Sequence, residues 1–252
     1  MGSSFCRPYS KTNWNTILGF GSLLSEKSAK GSFPSLRNFR LAKLRGWKRV
    51  FAHPAAIFFE RGIARMESRE IASLSIEPAH TAAHLDNSND EKRRLEGEKK
   101  EGGFQFIVAL FEIPSSEMPH FYEREEEFNV VTVQAEELGK RGEVVRKTNA
   151  LACSRGTDEQ FIKRWGRSHF EERYVANGID SIWNFTGKIL PCRVYLRHCI
   201  LAVSKQGQST LDDFLDNTYL FDRKTTIRKY LDENPEIMKE KPPPSLAKRY
   251  NG

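Results

Sequence analysis

The stretch Asn15-Thr-Ile-Leu-Gly-Phe-Gly-Ser-Leu-Leu24 decides the prediction for the N-terminal part of the chain. A short apolar run leads into Gly19 and Gly21, which flank a phenylalanine and precede a serine. Glycine adopts backbone conformations that are closed to other residues, and it allows a ligand to approach the main chain. The stretch therefore indicates a strand followed by one of two features: a row of exposed backbone N–H groups that could bind an anion or oxyanion, or an ordinary turn.

The chain is long enough for one hydrophobic core, because it has 252 residues, of which 38% are hydrophobic. No apolar run approaches the roughly 20 residues that cross a bilayer, so we expect a soluble globular protein without membrane association. The four cysteines form no CxxC pair, and the histidines show no zinc-ligand spacing. This cysteine usage favours free thiols in a reducing, cytoplasmic compartment.

The composition is basic, with 40 Lys and Arg against 33 Asp and Glu and a net charge of +7. A positive net charge favours an anionic small molecule or loose association with nucleic acid. The basic residues are scattered, and neither an RNP-type aromatic motif nor a zinc-finger spacing is present, so we predict no specific nucleic-acid partner. Two enzyme classes are also disfavoured. Gly19 and Gly21 lack the third glycine of a dinucleotide fingerprint, and no Ser or Cys stands in a recognisable nucleophile motif.

The composition divides the chain into a β-rich part and a helical part. Residues 15–152 alternate short β-rich runs with Gly and Pro breaks, which predicts strands of a sheet or barrel preceded by a tail at 1–14. Within them, residues 79–103 are polar and highly charged, which is typical of a flexible insertion. Residues 153–233 show amphipathic helical patterns that predict helices docked on the strands. Residues 234–252 are Pro-rich and charged, which predicts a disordered tail.

A glutamate lies on the apolar face of the helix that is predicted to begin near Ser115. With an advance of about 100° per residue, Met118, Phe121 and Tyr122 form one stripe, and the next member of that stripe is Glu125. Burial raises the pKa of an inward carboxyl group unless a partner compensates it, and a raised pKa suits a general base. Glu125 is therefore a candidate acid/base residue.

Glu125 also has a purely structural interpretation. It could pair with a buried arginine, such as one from the segment 44–51, or lie at the edge of the core. The adjacent glutamates are interpreted as solvated charges; they are Glu123, Glu126 and Glu127. Acyl transfer without a covalent nucleophile nevertheless requires only two elements. The Gly-Ser loop can hold the substrate, and an inward carboxylate can remove a proton.

Several short motifs, in this order, resemble the γ-glutamylcyclotransferase superfamily. They are LGFGSLL at 18–24, LRGWKRVF at 44–51, an RG-A segment beginning at Arg61, and FYERE at 121–125. The glycine before the aromatic residue and the Arg-Glu pair are more similar to the ChaC-type enzymes, which act on glutathione. The resemblance covers residues 15 to about 152, and the helical part beyond it resembles an extension in uncharacterised plant and algal relatives.

The resemblance implies an α+β fold with a small mixed β-barrel, a cavity, flanking helices and a helical C-terminal extension, and it implies no metal or organic cofactor. The implied reaction is intramolecular: the α-amine of a γ-glutamyl amide or peptide, such as glutathione, attacks its own γ-carbonyl and releases 5-oxoproline. Carried over to this chain, the general acid/base is Glu125. The γ-glutamyl unit of this small-molecule substrate is expected to bind the main-chain donors of Gly19, Phe20, Gly21, Ser22 and Leu23.

The chain departs from the family pattern at three sites. The Gly-Tyr pair that often follows the catalytic glutamate in the family is absent, and Glu126, Glu127 and Phe128 stand there instead. Phe20 stands where the family loop usually has tyrosine, and Asn149 stands where a later strand commonly has tyrosine. These departures leave two alternatives open: a protein of the same fold that binds an anionic amino-acid derivative without turnover, or an interaction protein whose basic surface engages an acidic partner. In the helical part, Tyr195 and Cys199 share a helical face and are interpreted as packing residues.

Overall fold

The computed structural model describes residues 13–79 and 103–251. In these two ranges nine strands form one sheet. The strands are β1 (Trp14–Gly19), β2 (Arg37–Arg45), β3 (Trp47–Pro54), β4 (Glu70–Pro78), β5 (Gln105–Pro114), β6 (Asn129–Leu138), β7 (Val144–Ser154), β8 (Leu190–Pro191) and β9 (Thr218–Tyr219). The helices are α1 (Glu26–Ser32), α2 (Ala56–Glu60), α3 (Met118–Arg124), α4 (Asp158–Trp165), α5 (Arg167–Arg173), α6 (Arg193–Ser204), α7 (Gln208–Asp216), α8 (Ile227–Glu233) and α9 (Ala247–Tyr250). None of these helices is long and apolar enough to span a bilayer.

Five of the strands close into a barrel. They follow the order β1-β5-β2-β6-β7, with antiparallel neighbours, and β7 then pairs with β1 in parallel. The closing contact aligns Ile17 with Leu151 and Leu18 with Ala152. Strands β4, β3 and β9 continue the sheet from β7, and β8 pairs with β4. The predicted fold class, an α+β fold with a small mixed barrel and flanking helices, is confirmed.

The barrel interior explains the apolar character of its strands. Six residues of β5 in the run from Phe106 to Ile113 are buried, because β5 lies between β1 and β2. Strand β1 becomes fully buried toward its end at Gly19. A strand that is covered on both faces carries a near-continuous apolar run rather than an alternating pattern. The Gly-Ser loop directly follows the buried end of β1.

The C-terminal part differs from its prediction at two places. Besides helices, it contains β8 and β9, which extend the sheet. The segment 234–252 is predicted to be a disordered tail, but it forms 3-10 turns at Pro235–Lys239 and Pro244–Leu246 and then α9. The physical reason is that Ile237 and Tyr250 supply buried apolar side chains, with 0% and 3% of their surface exposed. The predicted insertion at 79–103 lies almost entirely outside the described residues.

Candidate active site

A cavity of about 770 Å³ opens where β1, α3, α6 and the C-terminal segment meet. All the residues that the sequence predicts for the site line it: Gly19, Phe20, Gly21, Ser22, Leu23 and Glu125. The loop reaches the cavity because it directly follows the buried end of β1, and Glu125 reaches it because it directly follows α3. The structure thus brings together two elements that are about a hundred residues apart in the sequence.

The two glycines of the loop are required for space and not for a left-handed conformation. Gly21 has φ −130°, and Gly19 is absent from the residues with positive φ. A Cβ atom on Gly19 would lie 2.6 Å from the Cβ of Leu23, because the chain folds back on itself. A Cβ atom on Gly21 would lie 3.1 Å from Leu74 and 3.2 Å from the hydroxyl of Tyr195. Close approach to the main chain, the second property expected of these glycines, is therefore present at both positions.

The loop continues as a 3-10 turn at Ser22–Leu24. The amide of Leu24 donates to the carbonyl of Gly21 at 2.9 Å, and this is the first hydrogen bond of the turn. The amides that precede it have no acceptor within the turn itself, as at the start of any helical segment. One of them, the amide of Ser22, lies against the sulfur of Cys199 on α6. The Ser22 amide therefore packs directly against α6.

Cys199 is a neutral thiol at this position. Burial raises its pKa to about 12, although the Tyr195 hydroxyl and the Ser22 amide act in the opposite direction. A nucleophilic cysteine needs a substantial thiolate population near neutral pH. Cys199 is therefore a packing residue, in agreement with its interpretation from the sequence.

Glu125 is the C-cap residue of α3. Its amide donates to the carbonyl of Phe121 at 3.0 Å, and its side chain is 13% exposed. The Oε1 atom is 3.0 Å from Nη1 of Arg124, the preceding residue. The pairing suggested for the segment 44–51 does not occur through Arg49, which is fully buried and lies 3.5 Å from the carboxylate of Asp213.

The two glutamates that follow Glu125 are buried, so their interpretation as solvated charges is wrong. Glu126 and Glu127 are each 8% exposed, and both line the cavity. The helical periodicity no longer applies to them, because α3 ends at Arg124 and the chain turns inward. The Oε2 atom of Glu126 lies 3.1 Å from Nε2 of His169 and 3.1 Å from Nη1 of Arg173, and the guanidinium group of Arg173 compensates the charge of the carboxylate.

Glu127 is the titratable group that the sequence reasoning missed. Burial, followed by the negative charges of Glu126 and Glu125, raises its pKa to about 8. The Glu127 carboxyl group is therefore mostly protonated at neutral pH and can donate a proton into the cavity. The burial of Glu127 follows from the end of α3 at Arg124, and the helical period, which continues past that residue, does not indicate it.

Tyr195 brings a hydroxyl group into the cavity. It projects from α6 to the Gly21 main chain, and its interpretation as packing alone is incomplete because it lines the cavity. Burial, together with the neighbouring Cys199 and Glu125, raises its pKa well above the usual range, so the hydroxyl remains a hydrogen-bond donor. Asn149, the position at which the family has a tyrosine, is exposed on β7.

No metal-binding arrangement occurs among residues 13–79 and 103–251. In these ranges no group of three or more His, Cys, Asp or Glu side chains is arranged to hold an ion. The chemical groups that line the cavity include carboxyl groups, guanidinium groups, phenols and the main chain of the loop. Such groups can bind an anion and transfer protons.

Comparison with known proteins returns solved structures only; no family model and no curated protein matches the sequence. A structure described as gamma-glutamyl cyclotransferase is 12% identical, with a TM-score of 0.35, and the match covers 70% of this chain and 94% of that one. The yeast gamma-glutamyl cyclotransferase specific to glutathione is 11% identical, with a TM-score of 0.40 and coverage of 91% and 89%. An uncharacterised protein from Homo sapiens is 12% identical, with a TM-score of 0.36 and coverage of 70% and 93%.

Two of these proteins carry the name of the superfamily that the sequence motifs resemble. The overall likeness is distant in both sequence and shape, and the function proposed below rests on the residues of this chain. Those residues are the loop after β1 and the carboxyl groups after α3, which face one cavity.

Proposed function

We propose that this protein is a cofactor-independent γ-glutamylcyclotransferase. Its substrate is a γ-glutamyl amide or peptide, and its products are 5-oxoproline and the released amine or peptide. The observation that carries the proposal is that one cavity contains both the loop at 19–23 and the carboxylate of Glu125. Substrate binding and proton transfer, the two tasks that the reaction requires, can then be performed at one place.

The reaction needs no nucleophile from the protein. The α-amine of the substrate loses a proton to Glu125 and its nitrogen forms a bond with the γ-carbonyl carbon. The bond between that carbon and the leaving nitrogen then breaks, and the proton returns from Glu125 to the leaving nitrogen. Atoms and charge balance without an added water molecule. An α-amine has a pKa near 8 and is mostly protonated at neutral pH, so a base must take its proton before the nitrogen can attack.

The loop contributes binding and orientation. Because Gly21 has no side chain, the Tyr195 hydroxyl can lie close to the main chain of the loop and act as a donor beside it. Donors that face a developing oxyanion stabilise the transition state, and removal of one such donor commonly costs a factor of about a hundred or more in rate. The attack is intramolecular, so the main requirement is to hold the γ-glutamyl arm in a folded conformation.

The test is release of 5-oxoproline, measured by mass spectrometry, from glutathione and a panel of γ-glutamyl amines and dipeptides. Wild type should release it, and Glu125→Gln should lose the activity while remaining folded by circular dichroism. Glu172→Gln is the matched control, because Glu172 is exposed on α5. If Glu125→Gln kept full activity and Glu127→Gln lost it, the acid/base role would belong to Glu127. No release by folded wild type from any substrate would refute the proposal.

A second function is favoured by one observation, the ion pair between Glu125 and Arg124 at 3.0 Å. A carboxylate that is compensated by a neighbouring guanidinium is suited to binding the ammonium group of an amino-acid derivative without accepting its proton. In that case the protein binds γ-glutamyl compounds and does not cleave them. Isothermal titration calorimetry would then detect binding of glutathione or γ-glutamylglycine by wild type in the absence of 5-oxoproline release.

A further inference from the structure

The C-terminal segment is fixed against the wall of the cavity. The ring of Tyr250 is 3% exposed and belongs to a buried cluster with Phe58 of α2. Arg61 donates from Nη1 to the Tyr250 hydroxyl at 2.6 Å. From α6, Arg197 donates to the side-chain oxygen of Asn251 at 3.2 Å. These contacts on both sides hold α9 at the cavity.

Docking of α9 adds cations to the cavity wall. Lys248 and Arg249 of α9 line the cavity together with Arg61 and Arg124. Within the described residues, Arg124 is ion-paired with Glu125, whereas no carboxylate lies within ion-pair distance of Arg61 or Arg249. The neutral side chain of Tyr250 contacts both Arg61 and Arg249, so their positive charges are not compensated there and attract an anionic ligand.

The cations of this wall lie close enough to influence one another. Burial and the positive charges of Arg61 and Arg124 lower the pKa of Arg249. Burial, with the positive charges of Arg124 and Arg249, also lowers the pKa of His198 to about 4. His198 is therefore neutral at pH 7 and adds no charge. The cavity consequently has a positive region on the side formed by the C-terminal segment, and an anion bound there would relieve the repulsion.

The cavity is also large enough for more than a glutamyl unit. At about 770 Å³ it lies in the range of cavities that enclose drug-sized ligands. The loop at 19–23 and Glu125 occupy the part near β1 and α3, and α9 lines another part. A γ-glutamyl compound that is bound at the loop can therefore extend its leaving portion toward α9.

We propose that Arg249 and Arg61 form a subsite for a carboxylate on the leaving portion of the substrate. The proposal rests on the proposed function and adds the residues that select, among γ-glutamyl compounds, those whose leaving group carries a negative charge. Arg249 contacts the carboxylate, and Arg61 both contacts it and anchors Tyr250. The C-terminal segment, which lies outside the part of the chain that carries the sequence motifs, thus determines the specificity of the reaction.

The test compares γ-glutamylglycine with γ-glutamylglycinamide, which differ only in the leaving-group carboxylate. We expect wild type to prefer the acid by about tenfold or more in kcat/KM, as for one charge-assisted hydrogen bond. Arg249→Gln should abolish this preference by lowering kcat/KM for the acid about tenfold or more. Arg249→Lys should restore part of it. Lys229→Gln, at an exposed position on α8, controls for the loss of one positive charge.

The outcomes separate this proposal from the proposed function. If both compounds are cleaved equally by wild type, or if Arg249→Gln keeps the preference, the subsite is refuted and the cyclotransferase activity stands. If neither compound is cleaved, the panel of γ-glutamyl substrates decides the activity, and isothermal titration calorimetry with the same two compounds decides the subsite. Tighter binding of the acid that is lost in Arg249→Gln supports it, and equal binding of the two compounds refutes it.

Discussion

Glu127 should make the protein less stable as the pH rises, because its carboxyl group must lose its proton inside the protein. Burial, reinforced by the charges of Glu126 and Glu125, raises its pKa from 4.5 to about 8. In the unfolded chain the same group titrates near its ordinary value. Between these two values the folded state holds a proton that the unfolded state has released, so the free energy of unfolding decreases with increasing pH. This stabilising contribution is complete below about pH 4.5 and is lost as the pH passes about 8.

The substitution Glu127→Gln removes this titration and keeps the shape of the side chain. Each pH unit in the window costs the wild type about 1.4 kcal/mol of stability relative to the variant. We therefore expect the stability of Glu127→Gln relative to wild type to increase by about 4 kcal/mol between about pH 5 and pH 8. A change of this size exceeds the effect of most single substitutions on a protein surface.

The measurement is urea-induced unfolding at closely spaced pH values, followed by tryptophan fluorescence. Glu172→Gln on α5 is the control, because Glu172 is exposed and its curve should run parallel to that of wild type. If the curve of Glu127→Gln also runs parallel to that of wild type, Glu127 titrates normally in the folded protein. In that case the argument that α3 delivers a buried, protonated carboxyl group to the cavity is refuted.

Three further predictions concern packing around the cavity. Gly19→Ala should destabilise the protein by about 1–3 kcal/mol, because the new methyl group would lie 2.6 Å from the Cβ of Leu23; a thermal denaturation midpoint equal to that of wild type would contradict this. Tyr250→Phe should cost about 1 kcal/mol in urea unfolding, since it removes the hydrogen bond from Arg61, and an unchanged midpoint would argue against docking of α9. Cys199, with its pKa raised to about 12, should react with iodoacetamide only after unfolding, as judged by peptide mapping; rapid labelling of the native protein would show that the thiol is accessible.

The sequence predicted the elements whose signals are local. The apolar run before Gly19 predicts a strand, and the 3.6-residue periodicity of α3 predicts that Glu125 faces inward from its end. Both features follow from residues that are neighbours in the chain. The same period wrongly predicts that Glu127 is exposed, because α3 ends at Arg124 and the helical geometry does not continue beyond it. The end of a helix is the feature that local patterns define least well.

The tertiary structure decided which distant residues share the cavity. Tyr195 and Arg249 reach it because α6 and α9 pack against elements that lie more than a hundred residues earlier in the chain. The parallel pairing of β1 with β7, which closes the barrel, likewise joins residues far apart in sequence. Such contacts depend on the summed burial of apolar surface over the whole chain, and no short segment contains that information. The residues of the loop and Glu125 were therefore predictable from the sequence, whereas the hydroxyl group and the cations that face them were determined only by folding.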